Sequence, residues 1–596
     1  MGHTSTLDAF LTVHKDQLIA SNVPQHFWYT LHKKLVNQTF DAGCSFQIVK
    51  LDYEGEREDH EPIWALQTVT DVDCSDPKNI FLIDHAWTYQ VNNARQVLLQ
   101  HDSLRHRLQN IFNLSGDLSK EVLVEKIFEN TWKISNTYSI GNAENVEDRL
   151  PIWYIMDEIG TAVLHNDTPN CRVVPFIYIN EQVTYSLLFP TRNLEAEELV
   201  YRDFAEGVSD LEKRSAILLP WVPRSFEDIS LTPPVPDDEY FLSGHVRESL
   251  PVQSKLAGKP IIKHVLKVFT QYSLVTQHLT DNKFVITEDE DDADILWYTE
   301  HFKDFETLSE SPDKFVNQFP FEYVITVKDL LCITCRKEGS SKWLPTTYNL
   351  LTEIPNFVSC FQQRQNDGLN NFWIVKPYNL ARGLDIHITN NLNYIMRIAT
   401  TGPKIAQKYI TDPVLFHRPE CNGRVKFDIR YVVLLRSVRP LKAYVYKNFF
   451  LRFANVPFEL NEFDNYEKHF TVMNYTESAN LKHLKCDEFK VCWEQQYGHV
   501  PWDTVEKSIL IMLRQILESA TEEQPPRGIA SSPQSRALYA ADLMLEWTEG
   551  REIKPQILEM NFTPDCKRAC DYYPDFFNDI FHLLFLDNES EAFIEL

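Results

Sequence analysis

The stretch Lys426-Phe427-Asp428-Ile429-Arg430-Tyr431 alternates charged and apolar side chains. An extended strand therefore sets Lys426, Asp428 and Arg430 on one face and Phe427, Ile429 and Tyr431 on the other. It runs on into Val432-Val433-Leu434-Leu435, an apolar continuation that places the strand inside a sheet, with its charged face lining a cleft. QILEMNF repeats the pattern: Glu559 and Asn561 share a face while Leu558, Met560 and Phe562 take the other. Asp542 stands opposite the stripe Ala541, Leu543, Leu545 and Trp547. Two carboxylates and an amide oxygen are what the hard ion Mg²⁺ prefers. Lys376 closes the apolar run FWIV before Pro377, Gln407-Lys408-Tyr409-Ile410 form another short strand, and Arg452 follows FFL. Together these types offer cations for phosphate oxygens, a strand edge for a purine and oxygen ligands for Mg²⁺.

Glycine usage directs any nucleotide site to sheet side chains. The chain has 17 glycines in 596 residues, less than half of the ~7% usual in proteins. The closest pair, Gly43 and Gly55, is too far apart for a Walker loop or a G-x-G turn. The balance of 58 basic and 85 acidic residues gives −27, a poor general binder of nucleic acid or anionic membrane. Neither is expected as a partner. The eleven cysteines lack the paired spacing of a zinc ribbon and read as reduced thiols. The first twenty residues carry Asp8, His14, Lys15 and Asp16 among the apolar ones, so secretion is not expected.

Positioning elements follow from punctuation and periodicity. Residues 5 to 38 read as helix divided at Pro24, and 92 to 135 as helix with Leu98, Leu99, Leu104, Leu108 and Ile111 on a stripe. Residues 151 to 204 are short β runs. TPPVPDDEY, at 232 to 240, has the composition of an exposed connection. Beyond 260, β runs (HVLKVF, KFVIT, DILWY, KDLLCIT, FWIVKP) alternate with helical stretches, including one near 505 to 520. The expected organisation is a helical segment at 1–60, a β-rich domain with a helical insertion at 61–231, a linker at 232–259 and an α/β or α+β domain at 260–590.

The order NQFP, KDLL, WLPTTY, FWIVKP, ARG, QKYI, KFDIRYVVLL, LRFA, HFT..NY and ILEMNFTPD resembles the tubulin-tyrosine ligase family of ATP-grasp amino-acid ligases. The resemblance implies an ATP-grasp fold, ATP and Mg²⁺ as cofactors, and an acyl phosphate on a carboxyl group that an amino acid attacks. It also implies tubulin tails as partner and a cytoplasmic, cytoskeleton-associated location, with the nucleus a second compartment. Carried over by motif, Lys376, Arg430, Arg452 and Asn474 are the catalytic set. Gln407, Lys408, Tyr409, Ile410, Lys426 and Asp428 contact ATP, and Asp542, Glu559 and Asn561 hold Mg²⁺. Such chemistry needs fixed cations because negative charge accumulates in the transition state.

Two departures bear on turnover. In ARGLDI, Leu384 replaces a basic residue and Asp385 a glycine, which puts an acid in a loop expected over the ATP phosphates. The acceptor segment has two extra residues before Asn474-Tyr475 and lacks the lysine that should follow.

The first half has a second resemblance. His165-Asn166-Asp167-Thr168-Pro169-Asn170-Cys171 and Thr191 to Leu199 are similar to the NHSC-x-PNC and RDI-x-x-GEEL motifs of SET methyltransferases. Asp167-Thr168 replace Ser-Cys, YRDF replaces the terminal YDY, and no upstream G-x-G serves S-adenosylmethionine, so a SET-like shell without catalysis, available to other proteins, is the favoured reading. Three functions are weighed: a nucleotide-binding pseudo-ligase that engages tubulin and regulates its tyrosination or glutamylation, a competent ATP-dependent ligase, and a SET-type lysine methyltransferase.

Overall fold

The computed structural model describes residues 6–596 except 59, 115, 117, 141–148, 244–246, 257–263, 338, 379–383 and 472–482, and gives no side chain for Asn92. The chain divides into two compact units, one of 1–229 with 358–363 and 391–402, the other of the remaining residues. Among the described residues no helix is long and apolar enough to cross a membrane.

The first unit opens with the helices Leu7–Ala20 and Trp28–Asn37 on either side of Pro24. Phe10, Leu18, Phe27, Leu31 and Leu35 pack with Val174, Phe176 and Leu187 of a three-stranded antiparallel sheet. A second three-stranded sheet joins His85–Tyr89, Ile152–Met156 and Ser135–Tyr138. The apolar stripe at 92 to 135 resolves into three helices, Ala94–Gln100, Asp102–Ile111 and Lys120–Asn130, with Leu98 and Leu108 fully buried. The SET-like motifs meet through Asn170. Its amide nitrogen donates to Glu198 Oε1 (3.0 Å) and the Leu199 carbonyl (2.8 Å), and its oxygen accepts from the Tyr201 N–H.

The second unit holds a four-stranded parallel sheet, a four-stranded antiparallel sheet (Thr347–Asn349, Lys404–Lys408, Trp373–Pro377, His387–Thr389) and a six-stranded antiparallel sheet. Phe427–Ser437 is central to the last, between Ala537–Trp547 and, at its two ends, Phe450–Phe453 and Lys442–Tyr446. One face, with Phe427, Ile429, Tyr431, Ala541, Leu543 and Met560, packs in a core with Val505, Ile509, Met512 and Leu513 of the helix Trp502–Glu522. On the other face Val432 and Leu434 are covered by Phe577, Phe581 and Phe585 of the helix Phe576–Leu586. Asp428 and Arg430 share that second face. It is therefore apolar where a helix covers it and charged at its other end.

Two expectations are corrected. KDLLCIT is the helix Lys328–Cys335, not a strand, and Leu330 to Cys335 are all buried. Burial on every side erases the periodicity that would distinguish helix from strand. The segment at 232 to 259 is not a bare linker. Its first residues are mostly exposed, but Asp238–Leu242 is helical, Phe241 is buried in the core, and the Tyr240 hydroxyl donates to Asp329 (2.8 Å). Aromatic residues at the end of a Pro/Asp run anchor it.

Candidate functional site

Cross-strand register assembles the site. Asp428 faces Arg452, Arg430 faces Asp542, and Asp542 faces Glu559 on the next strand. Directly opposed residues project to one side, so four strands deliver five charged side chains to one surface. A bulge beside Asp542 shifts the register between Glu559 and Ile557, a device common beside active sites because it re-aims a side chain.

The cluster is cross-linked. Arg430 holds both oxygens of Asp542 (2.7 and 2.8 Å), while Arg452 reaches Asp428 (2.8 Å) and Asp542 (2.8 Å). Thr471, from the HFT motif, donates its hydroxyl to Asp428. The Asn561 amide donates to Asp542 and Glu559 at 3.2 Å each, and Glu559 pairs with Lys328 at 3.2 Å. Burial favours the neutral form of Asp542, yet Arg452 and Arg430 hold its pKa well below the usual carboxylate range. Asp428 moves upward, because burial and the Asp542 charge outweigh Arg452.

Two lysines are arranged differently. Lys376 Nζ donates to Gln407 Oε1 (3.0 Å), whose amide donates to the Thr347 hydroxyl. Lys426 Nζ donates to the Tyr409 hydroxyl (2.9 Å), itself 2.9 Å from His469 Nδ1. Among the described residues neither ammonium has a carboxylate within ion-pair distance, and both side chains are buried. Burial lowers the Lys376 pKa to about 8 and the Lys426 pKa to about 7. Glu559 acts on Lys376 and Asp428 on Lys426 as opposite charges, but burial outweighs both; a bound anion relieves the remaining cost.

Of the residues expected from sequence, Lys376, Gln407, Tyr409, Lys426, Asp428, Arg430, Arg452, Asp542, Glu559 and Asn561 line these two connected groups. Lys408 does not bring its side chain. Alternation along its strand turns it away from Gln407, and Nζ binds Asn370 and the Phe372 carbonyl. Ile410 is apolar and buried, so it can contribute its backbone only. Asn474 lies outside the described residues. Sequence reasoning missed Lys328, which the KDLL motif contained, and Thr471 and His469 of HFT. All three are polar residues at the margins of recognised motifs.

Asp385 is also corrected. It does not present a free acid. Its carboxylate binds Lys404 (2.9 Å) and lies 3.0 Å from His387 Nε2, with only 10% of the side chain exposed. Burial opposes ionisation there, but His387 and Lys404 lower the pKa. Its φ of +53° lies in the left-handed region where glycine would be unstrained.

Among the described residues no group of three or more His, Cys, Asp or Glu side chains is placed to hold a metal. Asp542, Glu559 and Asn561 supply two acids and an amide. Those are the oxygen types Mg²⁺ prefers, and holding the ion requires Asp542 to release an oxygen from Arg430 or Arg452 and Asn561 to turn its oxygen inward.

A pattern described as the tubulin-tyrosine ligase family matches residues 306–594, and one described as the tubulin tyrosine ligase SET-like domain matches 59–225. The tubulin-tyrosine ligase-like protein 12 of Mus musculus is 43% identical over 99% of this chain and 96% of its own length. The chain belongs to the tubulin-tyrosine ligase family. The Homo sapiens counterpart is 44% identical over 98% of this chain and 94% of its own. The human tubulin polyglutamylase TTLL5 is 28% identical over 51% of this chain and 24% of that protein. Family membership thus extends across both units, and the SET-like pattern covers most of the first.

Proposed function

We propose that the second unit is an ATP-grasp domain that binds Mg·ATP, and that the chain engages tubulin and regulates its tyrosination or glutamylation with weak or absent ligase turnover. The observation that carries nucleotide binding is the pair Lys376 and Lys426, two buried ammonium groups held only by neutral partners. ATP phosphates are the anions that complete them. Arg430 and Arg452 would take phosphate or an activated carboxylate, while the edge from Gln407 to Ile410 would take the purine. Asp542, Glu559 and Asn561 would hold Mg²⁺ together with the phosphates, and Mg²⁺ supplies charge neutralisation at the transferring group. Tubulin as partner rests on family membership and on the relative named as a tubulin polyglutamylase.

A second reading, a competent ligase, gains from one observation. Asp385, the acid that should repel phosphates, is neutralised by Lys404. The methyltransferase reading has no such support, because Asp167 and Asp203 of its motifs are both bound to Arg214.

Purified chain incubated with tubulin, Mg·ATP and labelled Tyr, Glu or Gly separates the readings. Tubulin co-sedimentation without label in the tails supports the first. Incorporation that Lys376→Ala abolishes supports the second, and absence of both tubulin and nucleotide binding refutes both.

A further inference from the structure

Within the first unit lies a cavity of about 480 Å³ between the SET-like strands and the helices Asp102–Ile111 and Lys120–Asn130. That is a common size for a small-molecule pocket. In a chain of net charge −27 its lining reverses sign, with Arg57, Lys126, Lys133 and Arg202 against Glu61 and Glu129.

Arg202 is the distinctive wall. It stands in YRDF, where the SET pattern has an acid-bearing YDY, and its Nη2 donates to the neutral Asn136 side chain (2.8 Å). Its guanidinium lies 4.8 Å from the Phe204 ring centroid, and Nε is buried with no hydrogen-bond partner. Arg397, from the 391–402 segment of the same unit, acts on Arg202 as a like charge. It donates to the Ser135 carbonyl, covers the Trp221 ring at 4.6 Å, and also leaves Nε buried and unpartnered. Other arginines of this unit find acids: Arg105 binds Asp102, Arg107 binds Glu158, Arg192 binds Glu198, and Arg214 binds Asp167 and Asp203. Glu206, the carboxylate that acts on Arg202, is already bound to Arg172 at 2.7 Å. Two neighbouring guanidinium groups without an acid of their own are costly in a protein interior, and an anion against Arg202, the one of the two that lines the cavity, offsets the repulsion. Phe204 and Trp221, which also line the cavity, meet edge to face with centroids 4.6 Å apart and form one apolar wall for a flat ring.

We propose that this cavity is a binding site for a small organic anion, a phosphate or carboxylate carried on a planar ring, with Arg202 contacting the anion and the ring resting against the wall of Phe204 and Trp221. S-adenosylmethionine has a carboxylate and a planar base, but its sulfonium and ammonium groups leave it net positive, which suits such a lining less well. The cavity is lined by residues of the first unit alone.

The test is calorimetric titration of the full chain with 1-naphthyl phosphate, 2-naphthoate, neutral 2-naphthol and S-adenosylmethionine. At least one anion should bind about tenfold or more tightly than naphthol, one charge-assisted contact's worth, and the stronger of the two identifies the anion class. Arg202→Met should remove that margin and Arg202→Lys restore part of it, while Lys376→Met should leave it unchanged. Equal binding of anion and naphthol, tighter binding of S-adenosylmethionine, or an unaffected Arg202→Met overturns the proposal. A crystal of the unmodified chain soaked in 1-naphthyl phosphate tests it without any variant. Density against Arg202 supports the site, and density only elsewhere, or none, overturns it.

Discussion

Nucleotide binding should be coupled to proton uptake, because Lys376 and Lys426 titrate in the free chain near pH 8 and 7 and a phosphate beside them restores their ordinary values near 10.4. The perturbation is pH itself. At pH 7.5 Lys376 lacks about a quarter of a proton and Lys426 about three quarters, so binding should take up about one proton. The uptake should climb to about two near pH 9 and shrink to about 0.1 at pH 6. The sign is fixed: the complex binds more protons than the free chain, so affinity falls as pH rises from 7 through 10. Calorimetry of Mg·ATP binding in buffers of different ionisation enthalpy counts the protons directly. Lys426→Met should remove most of the uptake at pH 7.5 and leave the Lys376 portion, which grows to about three quarters of a proton near pH 8.5. Binding that releases protons, or takes up none between pH 7.5 and 9, refutes the reasoning that these lysines face the phosphates.

Other outcomes follow from the same contacts. In the free chain Lys426→Met should raise the melting temperature by at least ~2 °C, since a methionine of similar shape removes a buried amine whose charged form burial penalises by more than the Asp428 charge offsets. Asp385→Gly should cost about 2–3 kcal/mol in urea denaturation without tightening nucleotide. It removes the ion pair to Lys404, and only part of that cost is offset by relief at φ +53°. Glu322 is pushed by burial to about 8 and Glu248 to about 7, so their contribution to stability is full below about pH 4.5 and is lost as pH rises through 7 to 8. Glu322→Gln, which keeps the acceptor for Tyr539 and the Phe319 N–H, should flatten the fall seen by thermal denaturation between pH 5 and 8. Met560→Gln should cost ~1–3 kcal/mol by placing an amide in the core, with nucleotide affinity of the folded fraction unchanged.

The strand carrying Asp428 and Arg430 was legible because alternation is a one-dimensional signal, and the same is true of Glu559, Asn561 and Met560. What was not legible comes from contacts between distant segments. Tyr409, Lys426 and His469 form one chain of hydrogen bonds from three motifs, and no spacing rule predicts it. Lys404 neutralises Asp385 from a strand nineteen positions on, so an acid that looks repulsive in a loop is silent in the fold. Lys328 escaped notice because a helix buried on all sides has no periodicity, which also hid the residue that pairs with Glu559. The SET-like motifs were visible, but the meaning of Arg202 depended on Arg397, which lies in a segment assigned by sequence to the other half.

The most direct measurement is equilibrium titration of Mg·ATP into the full chain beside Lys376→Met and Glu559→Gln. The account predicts saturable binding of one nucleotide per chain in the parent, loss of binding in Lys376→Met, and a weaker, less Mg²⁺-dependent affinity in Glu559→Gln with its fold intact. No detectable binding in the parent, or equal affinity in all three, would contradict it.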